Sequence, residues 1–261
     1  MTSFLWAQAA STGPSHTAAG APCQDALSVR NFADRDGNSW IAAAVADGAG
    51  SATHSQFGSQ YITDCFTQFM SEAITETDTR TKIDLSDLVR RGVRLVRSVL
   101  VKVSENKHRL LVDYATTLLV CVSDGNRIAL AQIGDGAIVL GIGRNRRVAF
   151  KPQHGDFVNQ SAFLTDEDAI DQLQVMVLDA VPELLVLFSD GLEDLLISPK
   201  DLSVHPPFFD YLSTAFGAAK ERVGVQPDIS EQLSRMLTSK AVTSRSDDDT
   251  SIVTIFMEAS S

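Results

Sequence analysis

Only three cysteines occur in the 261 residues, Cys23, Cys65 and Cys121, and none is spaced as CxxC. A disulfide framework and a zinc knuckle are thereby excluded, and reduced thiols are expected. Positive charge is scarce: 22 Lys and Arg stand against 33 Asp and Glu, a formal net charge of −11. Long-range repulsion opposes encounter with nucleic acid or an anionic membrane surface, so neither is expected as a partner, and cations are the more natural ligands. No apolar run approaches the ~18 residues that a membrane helix needs. The opening MTSFLWAQAASTG carries no positive charge ahead of its short apolar stretch, as a secretory leader would. These absences predict a soluble, cytoplasmic protein. Nothing matches GxxxxGK[ST], and Gly141-Ile142-Gly143 is too short for a dinucleotide fingerprint, which disfavours a kinase or NTPase.

What is present suffices for a substantial core. Hydrophobic residues make up 44% and charged residues 21% of the chain, close to globular averages. Alternating and apolar runs predict strands at Phe4 to Ala9, Ala26 to Phe32 and Trp40 to Ala46, the last two joined through Asp36-Gly37-Asn38. Helices are predicted from about Gln56 to Ala73 and from Leu85 to Val103. In the second, Leu85, Leu88, Val89, Gly92, Val96, Val99, Leu100 and Val103 share one face, and Arg90, Arg91, Arg94 and Arg97 form a solvated row opposite. Tyr114 to Phe150 reads as an antiparallel meander of four strands. Pro152 to Asp171 reads as a long surface loop, of a length that is usually functional. Strands resume at Gln174 to Leu178 and Leu184 to Ser189. Two helices, about Pro207 to Arg222 and Ile229 to Ala241, precede a last strand from Ser251 to Met257. Runs of strands flanked by helix pairs, with no repeat or linker, predict one α+β domain over residues 1–261. The layering expected is a four-layer α/β/β/α sandwich of two antiparallel sheets.

Asp-Gly occurs at Asp36, Asp47, Asp124, Asp135 and Asp190. At Asp36 and Asp124 it lies between short alternating strands, where turn formation explains it. Asp47 and Asp190 instead end almost wholly apolar strands, so each carboxylate stands where a buried strand emerges. Asp247-Asp248-Asp249-Thr250 directly precedes the last strand, and Gln24-Asp25 precedes the strand beginning at Ala26. Adjacent carboxylates repel unless a cation or solvent screens them. Clusters of oxygen donors without histidine or thiolate favour hard ions such as Mg²⁺ and Mn²⁺, which suit phosphate-ester hydrolysis.

The order CQD, VADG, ATT, IGDG, LFSDGLED, DDDT resembles the metal-dependent protein phosphatases, the type 2C family, and within it a bacterial stand-alone subgroup, over about residues 13 to 257. The resemblance implies hydrolysis of phosphoserine and phosphothreonine in proteins by a water activated between two Mn²⁺ or Mg²⁺ ions. A third ion is possible, and a cognate kinase or its target is an implied partner. It implies that Asp47 bridges two metals with the Gly48 carbonyl, and that Asp190 and Asp247 hold the first. Asp25 lines the second side through water, while Asp135 and Asp194 serve the third metal beside Thr116 or Thr117. Asp248 is the alternative to Asp247, which is preferred because it leaves Thr250 where the family's D-x-x-T/S pattern wants it. A flap over the cleft, Asp156 to Leu164 within about 152–171, would set substrate choice.

Three family features are missing. Ala49 stands where many members have the histidine thought to protonate the leaving alcohol, and His54 in the same loop is the candidate substitute. Gly20, Ala21 and Pro22 occupy the stretch that usually bears a phosphate-holding arginine, where His16 could supply a donor. Gln24 stands where many members have glutamate. These departures keep a second expectation open: a phosphatase-fold module that recognises a phosphorylated partner with little or no turnover.

Overall fold

The computed structural model describes residues 3–77, 83–151, 153, 162–219 and 223–258. Strand β1 (Ser3–Ser11) leads through a short helix α1 (Pro14–Ala19) into the hairpin of β2 (Ala26–Ala33) and β3 (Ser39–Ala46). Two long helices follow, α2 (Ser55–Glu76) and α3 (Leu85–Asn106), then a 3-10 turn (Leu111–Tyr114). Next come β4 (Leu118–Ser123), β5 (Ile128–Ile133), β6 (Ala137–Ile142), β7 (Asn145–Val148), β8 (Gln174–Leu178) and β9 (Leu184–Phe188). After a 3-10 turn at Asp190–Leu192, the chain ends with α4 (Glu193–Leu196), α5 (Pro206–Gly217), β10 (Gly224–Val225), α6 (Pro227–Leu237), α7 (Lys240–Thr243) and β11 (Thr250–Glu258). Among the described residues no helix is long and apolar enough to cross a membrane.

The strands form two sheets, ordered β10-β1-β11-β9-β6-β7 and β2-β3-β4-β5-β8. All pairings are antiparallel except the two-residue β10, which lies parallel to β1. The apolar run of β3 shows why the sheets stack. Ala42, Ala44 and Ala46 face a core shared with α2 and α3, while Ile41, Ala43 and Val45 face the other sheet against Leu185, Leu187, Val253 and Ile255. A strand covered on both faces loses the polar alternation of a half-exposed one. On the far side, Phe209, Leu212, Ile229 and Leu233 of α5 and α6 pack on Val186, Phe188 and Ile252. The four expected layers are thus present.

Helix α3 buries Leu85, Leu88, Val89, Gly92, Val93, Val96 and Leu100, close to the expected face, and Asp84 caps it by accepting the Ser86 and Asp87 amides. A β-carbon on Gly92 would stand 2.2 Å from the Met70 methyl and 3.0 Å from the Phe66 ring of α2, so a larger residue there would have to push those side chains aside. Two residues of the arginine row are not fully solvated: Arg90 and Arg97 are half-buried, and Arg97 donates through Nη2 to the Asp166 carbonyl at 2.8 Å.

Two expectations differ from what is observed. The strands from 118 to 148 are not one meander, because β4 and β5 belong to one sheet and β6 and β7 to the other. The chain crosses at Gly134-Asp135-Gly136, where φ of +94° and +77° at the two glycines turns the backbone in a way L side chains rarely allow. Most of the expected flap, Pro152 and residues 154–161, lies outside the described residues. Its remainder is no surface loop: Leu164 and Ala169 are fully buried, and the Leu164 amide donates to the Thr116 carbonyl at 2.8 Å.

Candidate metal centre

The crossing between sheets opens a small cleft of about 130 Å³. Its walls are Asp47 to Gly50 beyond β3, Thr117 before β4, Asp135 at the crossover, Phe163, Asp190 beyond β9, and Asp248 before β11. The walls therefore come from strand ends of both sheets, and among the described residues they contain four carboxylates and no Lys, Arg or His. Two threonines clamp the first carboxylate's backbone. Thr117 accepts the Asp47 amide hydrogen on Oγ1 at 3.0 Å and returns its own amide to the Asp47 carbonyl at 2.8 Å. The Thr116 hydroxyl donates to the same carbonyl, also at 2.8 Å.

Asp25 is buried behind this wall. Ser189 Oγ donates to its Oδ2 at 2.6 Å and accepts the Ser251 amide hydrogen at 2.9 Å, so the chain before Asp190 is tied to the start of both β2 and β11. The other oxygen of Asp25, Oδ1, is buried with no hydrogen-bond partner, and so is Oδ1 of Asp190.

Crowded, desolvated carboxylates resist ionisation. Burial, then the charges of Asp249 and Asp190, pushes Asp25 up to about 7 against the opposing Ser189 hydrogen bond. Burial and the neighbouring Asp135 and Asp248 push Asp190 up to about 6, although its contact with the Asp47 carboxyl works the other way. Asp47 is raised well above the carboxylate range, by burial first and then by Asp25 and Asp190. Glu193, just past the cleft, is pushed up to about 7 by burial and by Asp135, Asp190 and Asp194.

The expected residues are not all brought together. Asp25, Asp47, Gly48, Asp135 and Asp190 converge, and Asp194 is exposed at the rim beside Glu193. Of the adjacent aspartates, Asp248 lines the cleft and Asp247, the preferred ligand, does not. The Asp247 side chain is exposed, and its carbonyl accepts from the amide and hydroxyl of Ser15 at 3.0 and 2.6 Å. Asp248 also satisfies D-x-x-T/S, with Ser251 as the hydroxyl residue. His54 is not on the cleft wall: it precedes α2, donates its amide to the Asp113 carbonyl at 2.7 Å and sets its ring 5.5 Å from that of Tyr114. His16 is occupied with Asp249, 2.8 Å from Nδ1 to Oδ2. Asp124 acts in a turn as expected, holding the Asn126 and Arg127 amides.

Sequence reasoning missed three residues. Glu193 stood in LFSDGLED, one position from the residue chosen. Ser189 was signalled only as a small hydroxyl ahead of Asp190. Asp249 had no signal separating it from its neighbours.

Whether these groups suit a divalent cation can be judged from their chemistry. Among the described residues no three His, Cys, Asp or Glu side chains already surround a common point. The side-chain donors on the wall are nevertheless all oxygen, one carboxylate oxygen of Asp190 on it and one of Asp25 behind it are unpaired, and no basic side chain among the described residues of the wall balances the charge. Hard divalent ions fit that donor set.

The sequence profile described as "Protein phosphatase 2C" matches residues 12–238. "Serine/threonine-protein phosphatase 3" of Escherichia coli (strain K12) is 30% identical over 243 residues, covering 92% of this chain and 93% of that protein. Among solved structures, the catalytic domain of the phosphatase PstP in complex with two manganese ions superposes with a TM-score of 0.65 at 17% identity. It covers 99% of this chain and all of that one. The phosphatase Stp1 from Staphylococcus aureus gives a TM-score of 0.63 at 14% identity, covering 97% and 95%. At such identities the two structures speak for the fold, while the profile and the E. coli relative place the sequence: the chain belongs to the protein phosphatase 2C family.

Proposed function

We propose that this chain is a cytoplasmic, metal-dependent phosphatase acting on phosphoserine and phosphothreonine in proteins, partnered in the cell by a kinase or its target. The observation that carries this is the convergence of Asp47, Asp135, Asp190 and Asp248 on one cleft with buried Asp25 behind it and no cationic side chain among the described residues of its wall. Asp47, the Gly48 carbonyl, Asp190 and Asp248 would hold two Mn²⁺ or Mg²⁺ ions, with Asp25 behind them, and Asp135 with Glu193 or Asp194 a weaker third. Bound ions would neutralise phosphate charge and activate the attacking water.

The chain's own residues supply placement. Thr116 and Thr117 fix the backbone of Asp47, Ser189 fixes Asp25, and Phe163 adds an aromatic side chain to the wall. With Ala49 on the wall and His54 against Tyr114, the wall offers among the described residues no histidine suited to protonate the leaving alcohol. Acid catalysis contributes about 10²–10⁴-fold, so its absence slows hydrolysis without forbidding it.

Metal-dependent release of phosphate from phosphothreonine and phosphoserine peptides tests the proposal, with wild type compared against Asp190→Asn. Release that requires Mn²⁺ or Mg²⁺ and is lost in the variant is expected. Metal binding without release from any phosphopeptide would favour instead a module that recognises phosphorylated partners.

A further inference from the structure

The most connected carboxylate near the cleft does not line it. Asp249, only 1% exposed, gathers three donors on its two oxygens: the Gly13 amide on Oδ1 at 2.7 Å, and the Gln24 amide and His16 Nδ1 on Oδ2 at 2.6 and 2.8 Å. Its own amide donates to Asp248 Oδ1 at 2.8 Å. The segment that closes over it is pressed tight, since a β-carbon on Gly13 would stand 2.2 Å from the Asp248 carbonyl carbon. Two cleft elements are thus set from one point: Asp25 follows Gln24 in the chain, and Asp248 receives the Asp249 amide.

We propose that Asp249 and His16 are a positioning pair for the metal centre, which lock the segment leading to Asp25 onto the loop carrying Asp248 without touching an ion themselves. The proposal rests on the metal-dependent reading above. Donation by Nδ1 fixes the tautomer and orientation of the ring, and partners one shell behind metal ligands typically govern about 10–100-fold in metal affinity.

The test is Mn²⁺ affinity of the full chain by titration calorimetry, with the Mn²⁺ concentration for half-maximal activity as second readout. His16→Ala should weaken Mn²⁺ binding about 10–100-fold, with kcat largely restored at saturating Mn²⁺. His16→Asn, whose amide nitrogen takes the place of Nδ1, should keep affinity within about threefold of wild type. Asp249→Asn, which turns one of the two acceptor oxygens into a donor facing a backbone amide, should resemble His16→Ala. If His16→Ala does not fold, His16→Gln carries the test, with affinity between wild type and Asp249→Asn. Wild-type affinity in His16→Ala, or equal loss in His16→Ala and His16→Asn, would overturn the pair. A wild type that binds no Mn²⁺ would overturn the metal-dependent reading as well, whereas binding without turnover would leave the pair standing and remove only the phosphatase.

Discussion

Ser189 Oγ donates a 2.6 Å hydrogen bond to Asp25 Oδ2, linking the end of β9 in one sheet to the start of β2 in the other. The same oxygen accepts the Ser251 amide hydrogen. Ser189→Ala would strand a buried carboxylate oxygen and a buried amide together. A loss of about 1–3 kcal/mol in unfolding free energy is expected, measured by urea denaturation, because unsatisfied buried groups carry their full desolvation cost. An unchanged midpoint would mean that water replaces the hydroxyl.

Asp190→Asn should separate function from stability. Turnover on phosphothreonine peptide should vanish, while the thermal midpoint measured in EDTA should rise, because the variant removes one member of a crowd of mutually repelling carboxylates. A midpoint that falls in EDTA would show that the Asp47 contact outweighs the repulsion.

Stability without metal should fall as pH rises from about 4 to about 7. Asp25 and Asp190 have folded values of about 7 and about 6, above the unfolded carboxylate range near 4. The folded state therefore holds more protons across that window, and the slope of stability against pH is negative. Urea midpoints in EDTA at pH 5 and 7.5 should show the drop. Mn²⁺ should reverse it at pH 7.5, by about 2.7 kcal/mol at a hundredfold excess over Kd.

Asp248→Ala and Asp247→Ala should differ although the residues adjoin. The first removes a cleft carboxylate and should cut kcat/KM with phosphothreonine peptide at least a hundredfold, by about 3 kcal/mol. The second leaves the carbonyl that Ser15 uses and should change kcat/KM less than threefold. Equal losses would restore Asp247 as a ligand.

The two layers of strand and helix were legible because burial on two faces leaves a continuous apolar run, as in β3, and burial on one face leaves the spacing of Leu85 through Leu100 in α3. The change of sheet at Gly134-Asp135-Gly136 was not, because two short alternating strands around a glycine-rich turn look alike whether they pair or part. Asp25, Asp47, Asp135 and Asp190 could be chosen because each sits at a strand end with one identity. Among three consecutive aspartates, no local property distinguishes a ligand from its neighbours. Their register is set at long range, by Ser11 pairing with Thr250 and by Gly13 and Ser15 closing over the loop.

Asp47 extends a strand of the five-stranded sheet and Asp190 a strand of the six-stranded one, and the two meet only because the sheets are stacked. An ion shared between them would act as a further cross-link between halves of the molecule otherwise held by apolar packing and buried hydrogen bonds such as that from Ser189 to Asp25. The sheets would then come apart in a single event, and amide hydrogen exchange in β3 and β9 would slow together on adding Mn²⁺. Catalytic competence and this added cohesion of the sandwich would be lost at the same chelator concentration.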